Sequence, residues 1–391
     1  MKLNRSYLSY ASFLSMIIGG FVGTTFGAAL PSIRESLHLS ISQTGTLIAA
    51  RTIGYILSSF FSGYLIDRLG KKFLACIGAA LYGFGLLTFG VLPGLWINFL
   101  IFLVLGMGSG QLQLVSNALF IDLYQERRSN MMNILHFFFT LGCIFGPLYT
   151  GFLLSHGLSW RSAYLTYGVI TLGLFLVFLL LRFPDRAGEH RKSTDVGSFG
   201  LLKERLVVLL LLLLGLHVSV QVGTGTWMTS YLKEQIALPL STSANILALY
   251  WAGMAVGRLL CYRISHRISH NLLLFIMSAG SFTFLLISLL TSSPGLLLLL
   301  FALMGFFLSA FYPMVIVIGG SLFQKKSGAV VGVLSAGASI SSTLLQWTMA
   351  QISEASSIQI GMVFFFALAL LTIVTTLIVF REAKKAGYQD I

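Results

Sequence analysis

The sequence predicts an all-α integral membrane protein with 12 transmembrane helices in two pseudo-symmetric six-helix bundles. Three observations predict this fold class. Of the 391 residues, 56% are hydrophobic and only 9% are charged, whereas a soluble domain carries about 25% charged residues. The hydrophobic residues form long unbroken runs, and landmarks of the first half recur in the second half. Such low charge cannot cover a water-facing surface, and most of the surface is therefore expected to face lipid.

The apolar runs are long enough to be membrane-spanning helices. A helix needs about 20 mostly apolar residues to cross the hydrocarbon core, whereas a transmembrane β-strand is a short alternating segment. The predicted spans are 7–31, 42–66, 73–92, 95–121, 130–154, 161–183, 206–231, 242–263, 271–291, 295–322, 328–352 and 357–380. Glycines lie inside many of these runs, which suits close packing between membrane helices.

The distribution of basic residues predicts the orientation. Of the 25 Lys and Arg residues, 21 lie before span one, or in the last residues of an even-numbered span or after it. The exceptions are Arg34, Arg51, Arg161 and Lys233. Cytoplasmic loops are enriched in Lys and Arg, so both termini are expected in the cytoplasm and the protein in the plasma (inner) membrane. The net charge of +13 is interpreted as a topology signal, and no nucleic-acid partner is expected.

A polar segment divides the chain into two halves. Residues 184–205 hold a mixed run of charges and are predicted to be a cytoplasmic linker. They separate an N-terminal six-helix bundle, 1–183, from a C-terminal six-helix bundle, 206–391.

The two halves carry an internal repeat. The polar loop 63–72 after span two has a counterpart after span eight, 199 residues later. Arg127 and Arg128 after span four have counterparts in Lys325 and Lys326 after span ten, 198 residues later. Duplicated halves are a known transporter plan, with the solute site near the middle of the membrane at their interface.

The loop after span two also carries a family signature. Residues 63–72 read Gly-Tyr-Leu-Ile-Asp-Arg-Leu-Gly-Lys-Lys and fit the pattern Gly-x-Leu-x-Asp-Arg-x-Gly-Arg-Lys with one exchange, at Lys71. Together with Trp160-Arg161 at the start of span six and Gly146-Pro147 in span five, this loop resembles the major facilitator superfamily over essentially the whole chain. The resemblance implies that superfamily's fold and the transport of a small-molecule solute by alternating access.

The resemblance also implies a set of gating residues at the loop. Asp67 would interact with the positive N-terminus of span eleven near Ser327, and Arg68 would pair with Asp122 or Glu126. These contacts would form when the cytoplasmic side is closed. The gating residues expected on this basis are Asp67, Arg68, Gly70, Asp122 and Arg128.

A finer resemblance concerns spans four and five. Gln113 and Asn117 in span four, with Asn133 and His136 in span five, are similar to the fucose/glucose-type sugar:proton symporter branch. The acids that this branch carries in spans one and four are absent, since Gln113 occupies the span-four position. The rival pattern is the glycine-rich antiporter motif of span five, which Gly142, Gly146, Pro147 and Gly151 approach without its final glycine pair.

Arg51 is the charged residue deepest in a predicted span, about nine residues into span two. Charged groups within spans usually face a cavity or a partner. Two interpretations remain open. The guanidinium faces a central cavity and binds a substrate anion, carboxylate or hydroxyl, or it reaches back to the external interface with its aliphatic stem in lipid.

Amide and aromatic side chains inside other spans complete the predicted solute site. Amides both donate and accept hydrogen bonds, which suits a polyhydroxyl solute, and the alternative is hydrogen bonding between helices. Trp96 and Trp160 lie at span ends and are assigned to the interfacial aromatic belt. The residues predicted to bind solute are Arg51, Gln113, Asn117, Asn133, His136, His217, Gln221, Trp251, Gln346 and Trp347.

The sequence thus predicts a secondary active or facilitative transporter of a small, sugar-like solute. Proton symport would require a titrating group, and His136 and His217 are the mid-span histidines. The alternatives are a proton-coupled efflux antiporter for drugs or metabolites and a transport-silent sensor. No nucleophile–base pair, phosphate loop or metal cluster is visible, so no enzyme, cofactor or metal is expected. Solute, protons and lipid are the expected partners of a monomer.

Overall fold

A computed structural model describes residues 2–183, 198–264, 268–323 and 327–385. Side chains are described throughout these ranges except at 2–4, 59–64, 67, 128–130, 198–199, 262 and 327–328.

The described residues form helices and no strand. The helices are α1 (Lys2–Leu37), α2 (Ile41–Leu69), α3 (Lys71–Thr88), α4 (Leu95–Leu123), α5 (Arg128–Ser155), α6 (Arg161–Leu180), α7 (Ser198–Leu201), α8 (Arg205–Glu234), α9 (Leu240–Ile264), α10 (His270–Leu290), α11 (Pro294–Leu308), α12 (Phe311–Leu322), α13 (Ser327–Ala355) and α14 (Ile358–Lys385). Eleven described segments, with α11 and α12 taken together, are long and apolar enough to cross a membrane. The 29-residue helix α2 covers the remaining predicted span. The predicted all-α membrane fold is confirmed.

Helix ends follow local chemistry where the sequence supplies a cap. Ser40 precedes α2, and its hydroxyl accepts a hydrogen bond from the Gln43 amide at 3.2 Å. The Gln43 side chain accepts in return from the Ser40 amide at 3.0 Å. This reciprocal pair satisfies two backbone donors that the first turn of a helix leaves free.

The chain divides into two compact units. Unit 1 comprises Met1–Gly188 with Pro239–Ala248, and unit 2 comprises Glu189–Leu238 with Leu249–Ile391. The first part of α9 therefore belongs to unit 1, where Gly151 of α5 packs beside Ala244. Of the predicted linker, residues 184–197 lie outside the described residues, and the remainder contains α7 and the start of α8.

Within unit 1, helices α2 and α4 approach each other through glycines. A Cβ on Gly54 would overlap the Leu103 carbonyl oxygen, and a Cβ on Gly106 would overlap the Arg51 carbonyl oxygen. Glycine therefore permits backbone-to-backbone contact at both positions, as small residues commonly do in membrane helices.

Unit 2 repeats this crossing between α9 and α11. A Cβ on Gly253 would overlap the Ala302 carbonyl oxygen, and a Cβ on Gly305 would overlap the Tyr250 carbonyl oxygen. Each of these residues lies 199 positions after its counterpart in unit 1. The predicted internal repeat is confirmed at the level of individual helix contacts.

The tenth predicted span, 295–322, is not one continuous helix. It is broken between α11 and α12, at Ser309 and Ala310. Pro313 explains the break, because a proline ring clashes with the carbonyl group four residues earlier, here that of Ser309. The Arg258 Nε donates a hydrogen bond to that carbonyl oxygen at 3.2 Å. The predicted span itself is confirmed, because Pro294–Leu322 is long and apolar enough to cross a membrane, but the sequence analysis did not single out the break.

Trp160 is a core residue of unit 1 and not a belt residue. Its side chain is 2% exposed, and its indole Nε1 donates to the Ser36 hydroxyl at 2.9 Å. The ring packs on Phe89 and Tyr164, with centroid distances of 5.1 and 5.6 Å. The belt assignment of Trp160 was wrong, whereas Trp96 is 73% exposed, in line with a belt position.

Candidate solute site

The α2–α4 crossing in unit 1 carries a line of polar side chains. The Tyr55 hydroxyl donates a hydrogen bond to Gln113 Oε1 at 2.8 Å. Asn117 lies one helical turn beyond Gln113, and its Oδ1 atom is buried without a hydrogen-bond partner among the described residues. Both amides are partly exposed. The structure thus brings Gln113 and Asn117 together on one helix face, and it adds Tyr55, which the sequence analysis missed.

Arg51 lies one turn before Tyr55 on the same face of α2. Its Nη2 atom is 4.0 Å from the position that a Cβ on Gly23 of α1 would occupy. Gly23 itself is exposed, and the Arg51 side chain is partly buried. The guanidinium therefore lies beside an exposed glycine of α1.

Arg51 lies well inside α2. It is ten residues after Ile41, roughly 15 Å along α2 from the connection at 38–40. Both orientations of its side chain remain predictions.

Two tyrosines lie in the electrostatic field of Arg51. Tyr82 of α3 and Tyr164 of α6 are each 1% exposed, and the charge of Arg51 acts on both phenols. Neither hydroxyl has a hydrogen-bond partner among the described residues. Buried polar atoms are normally paired, so these two hydroxyls mark a place where a polar partner is missing. The sequence analysis missed both residues.

The predicted site residues of α5 lie at the surface of unit 1. Asn133 and His136 are both exposed, and the His136 carbonyl oxygen accepts a hydrogen bond from the Thr140 hydroxyl at 3.1 Å. Their role as solute ligands remains a prediction.

In unit 2, His217 and Gln221 share a face of α8. His217 is 2% exposed and stacks on Phe311, with ring centroids 4.2 Å apart and an interplanar angle of 12°. Its Nε2 atom has no hydrogen-bond partner among the described residues. The Gln221 Nε2 donates to Met254 Sδ at 3.1 Å, and the Gln221 carbonyl oxygen accepts from the Tyr250 hydroxyl at 2.7 Å.

The remaining predicted residues of unit 2 have different environments. Trp251 is partly buried, and its ring lies beside Gly225, with Nε1 3.8 Å from the position of a Cβ there. Gln346 is buried, and its Nε2 donates to the Ser342 hydroxyl at 3.0 Å. Trp347, the next residue of α13, is exposed. Adjacent residues of a helix point in different directions, so Trp347 and Gln346 have separate environments.

At the signature loop, Gly70 ends α2 with a φ of 83°, a conformation that glycine adopts without strain. Lys71 forms an ion pair with Asp122 of α4, whereas the sequence analysis paired Arg68 with Asp122 or Glu126. Arg68 is exposed. The side chains of Asp67 and Arg128 lie outside the described residues, so their gating roles remain predictions.

This architecture is that of a membrane transport protein built from two related halves of six spans with polar groups inside them. The sequence model of the Major Facilitator Superfamily matches residues 12–292. The chain belongs to this superfamily, whose members transport small solutes.

Two relatives cover most of the chain. A Protein TsgA homolog of Buchnera aphidicola subsp. Schizaphis graminum is 20% identical over 389 residues, which are 99% of each chain. Protein TsgA of Shigella boydii is 25% identical over 346 residues, which are 85% of each chain.

Solved structures share the fold. A mutant of the nucleoside transporter NupG superposes with a TM-score of 0.83 at 15% identity, over 96% of this chain and 100% of that chain. The D-xylose-proton symporter superposes with a TM-score of 0.75 at 14% identity, over 95% of this chain and 96% of that chain.

Proposed function

We propose that the protein carries a small, sugar-like solute across the plasma (inner) membrane by alternating access. The observation that carries this proposal is the polar line of Tyr55, Gln113 and Asn117 at the α2–α4 crossing. Polar groups inside spans are costly and commonly mark a solute pathway. Amides that donate and accept hydrogen bonds match the hydroxyl groups of a sugar or nucleoside.

The neighbouring structures support this solute class. One is a nucleoside transporter and the other a D-xylose-proton symporter, and nucleosides and D-xylose are both rich in hydroxyl groups. The other proposed solute ligands of unit 1 are Arg51, Asn133 and His136. The proposed ligands of unit 2 are His217, Gln221, Trp251, Gln346 and Trp347. The proposed cytoplasmic gate consists of Asp67, Arg68, Gly70, Asp122 and Arg128. In this proposal the protein acts as a monomer, and both of its termini lie in the cytoplasm.

Coupling to protons would depend on a histidine. The carboxylates of the spanning helices lie near helix ends, and His217 is buried against Phe311. His136 is exposed on α5, and of the two mid-span histidines it is the one to which this proposal assigns the coupling role. Without its titration the protein would be a facilitator.

The glycines of span five have a packing role. A Cβ on Gly142 would overlap the Ile17 carbonyl oxygen of α1, and a Cβ on Gly146 would lie 2.8 Å from the Phe21 carbonyl oxygen. Gly151 packs beside Ala244. These contacts explain the glycine pattern without an antiport function, and the efflux alternative gains no support from them.

A ligand screen followed by uptake tests the proposal. Sugars, nucleosides, carboxylates and cationic dyes are screened for a rise in the melting temperature of the purified protein, and hits are measured as uptake into proteoliposomes. We expect a hydroxyl-rich compound to be taken up. We expect Gln113→Leu to weaken its binding roughly 10-fold, because a lost hydrogen bond costs about 1–3 kcal/mol.

Gln111→Leu is the matched control for this experiment. Gln111 lies two residues away, and its side chain packs beside Gly78 of α3, so this change should leave uptake intact. Equal losses in both variants, or a shift with cationic dyes alone, would contradict a sugar-like solute site at Gln113. Uptake that does not respond to a pH gradient would dismiss coupling through His136.

A further inference from the structure

We infer that the solute is an anion and that Arg51 binds its negatively charged group, a carboxylate or an inorganic oxyanion. This inference rests on the proposed transport function and specifies the chemical class of the solute. It follows from the charge of Arg51, which forms no ion pair with a described side chain, and from two buried hydroxyls that have no hydrogen-bond partner among the described residues.

The positive charge of Arg51 is not balanced within unit 1. None of the described side chains forms an ion pair with Arg51. The acidic residues inside the helices of unit 1 are Glu35, Asp67 and Asp122, and each lies within the last three residues of its helix. Asp67 is on the same helix but 16 residues away, roughly 24 Å along the axis. The described helices of unit 1 therefore carry no acidic residue close to Arg51 along the chain.

The surroundings of Arg51 make it accessible to a ligand. Its guanidinium lies next to Gly23, which is exposed and carries no side chain that could cover it. Guanidinium groups bind carboxylates and oxyanions through parallel hydrogen bonds. An ion held in this way would neutralise a charge that is costly to bury in a membrane.

Tyr82 and Tyr164 supply the independent observation. Both hydroxyls are buried and have no hydrogen-bond partner in the part of the chain that the structure describes, and the charge of Arg51 acts on both. A phenol hydroxyl can donate to an anion or accept from a guanidinium. The charge of Arg51 therefore reaches two hydroxyls, one on α3 and one on α6, that have no hydrogen-bond partner among the described residues. We expect an anion bound to Arg51 to accept a hydrogen bond from one of them.

The position of Arg51 relative to the amides narrows the solute further. Arg51 and Tyr55 are one turn apart on α2, and Tyr55 is hydrogen-bonded to Gln113. A solute that met both the guanidinium and the amides would have an acidic group at one end and hydroxyl groups along its length. A sugar acid or another hydroxy acid has this arrangement.

The test compares an acid with its neutral counterpart. Gluconate, glucose, sulfate and phosphate are added separately to the purified full-length protein, and the rise in melting temperature is titrated to give each Kd. We expect gluconate to bind and glucose to bind more weakly. We expect Arg51→Gln to weaken gluconate binding roughly 10- to 100-fold, the range of a hydrogen bond to a charged group. Arg51→Lys should recover part of this loss, since it keeps the charge without the planar fork.

Matched variants separate this site from general charge effects. Arg34→Gln removes an equal charge at the end of α1 and should leave gluconate binding unchanged. Tyr164→Phe removes one of the unpartnered hydroxyls and keeps the ring, and it should weaken gluconate binding several-fold. This variant also provides the answer if Arg51→Gln does not fold.

The outcomes distinguish the two proposals. If glucose binds and Arg51→Gln leaves its Kd unchanged while no anion binds, the anion inference is wrong and the sugar-like solute stands. If only sulfate or phosphate binds through Arg51, the inference stands with an inorganic oxyanion as the solute and the sugar-like function fails. If none of the anions raises the melting temperature of the wild-type protein, the inference is wrong.

Discussion

Replacing Trp160 by alanine is expected to cost about 3–5 kcal/mol of stability, the usual range for truncating a buried tryptophan. The indole is buried between Phe89 and Tyr164 and donates a hydrogen bond to Ser36. The change would leave a cavity at the start of α6, and the Ser36 hydroxyl would keep only its hydrogen bond to the Ile33 carbonyl oxygen. The measurement is the apparent melting temperature of Trp160→Ala in detergent, together with the fraction that elutes as a monodisperse peak.

Trp96→Ala is the control for the loss of an aromatic ring. Trp96 is exposed, and surface substitutions usually change stability by less than about 0.5 kcal/mol. If Trp160→Ala had the same melting temperature as the wild type, the indole would not hold α6 to α1 as described. Equal destabilisation by both changes would likewise contradict the distinction between core and belt.

Gly106→Ala is expected to disrupt unit 1 through a single added methyl group. The new Cβ would overlap the Arg51 carbonyl oxygen, which is backbone and cannot turn aside. Helices α2 and α4 would have to separate, at a cost of about 1–3 kcal/mol typical of overpacking. The change should also displace Arg51 and Gln113, so ligand binding should fall together with the melting temperature.

The equivalent glycine of unit 2 provides a replicate of this experiment, and a glycine of α6 provides its control. Gly305→Ala should have a similar effect in unit 2, because its Cβ would overlap the Tyr250 carbonyl oxygen. Gly173 lies in α6, and no atom lies within 4 Å of the position of its Cβ. Gly173→Ala should therefore leave the melting temperature unchanged or slightly higher. Tolerance of alanine at Gly106 and Gly305 alike would refute the close crossings.

The fold could be predicted from the sequence because lipid imposes a simple requirement. A span must be apolar over the thickness of the hydrocarbon core, and run length alone therefore located the helices. The break in span ten was missed because an apolar run conceals it, although Pro313 was visible in the sequence. The burial of Trp160 was missed because a tryptophan at a span end can face either lipid headgroups or a neighbouring helix, and its partner Ser36 is 124 residues away.

The candidate site could be predicted only in part. Gln113 and Asn117 share a helix face by their spacing alone, so sequence was sufficient for that pair. The partner of Gln113 is Tyr55, 58 residues away on another helix, and no local pattern indicates it. Whether the Tyr82 and Tyr164 hydroxyls are paired depends on the packing of α3 and α6. The direction of the Arg51 side chain likewise depends on the space beside Gly23, which the sequence of α2 does not contain.

The central claim is that the polar line at the α2–α4 crossing is open to water and binds the solute. Labelling of Gln113→Cys with a membrane-impermeant thiol reagent tests it most directly, in a background where Cys76, Cys143 and Cys261 are replaced by serine. Leu176→Cys on α6 is the control, because its exposed side chain is expected to face lipid. The account predicts that the cysteine at position 113 is labelled and that a bound solute slows its labelling. Absence of labelling at position 113 under all conditions, in a folded protein, would contradict the account.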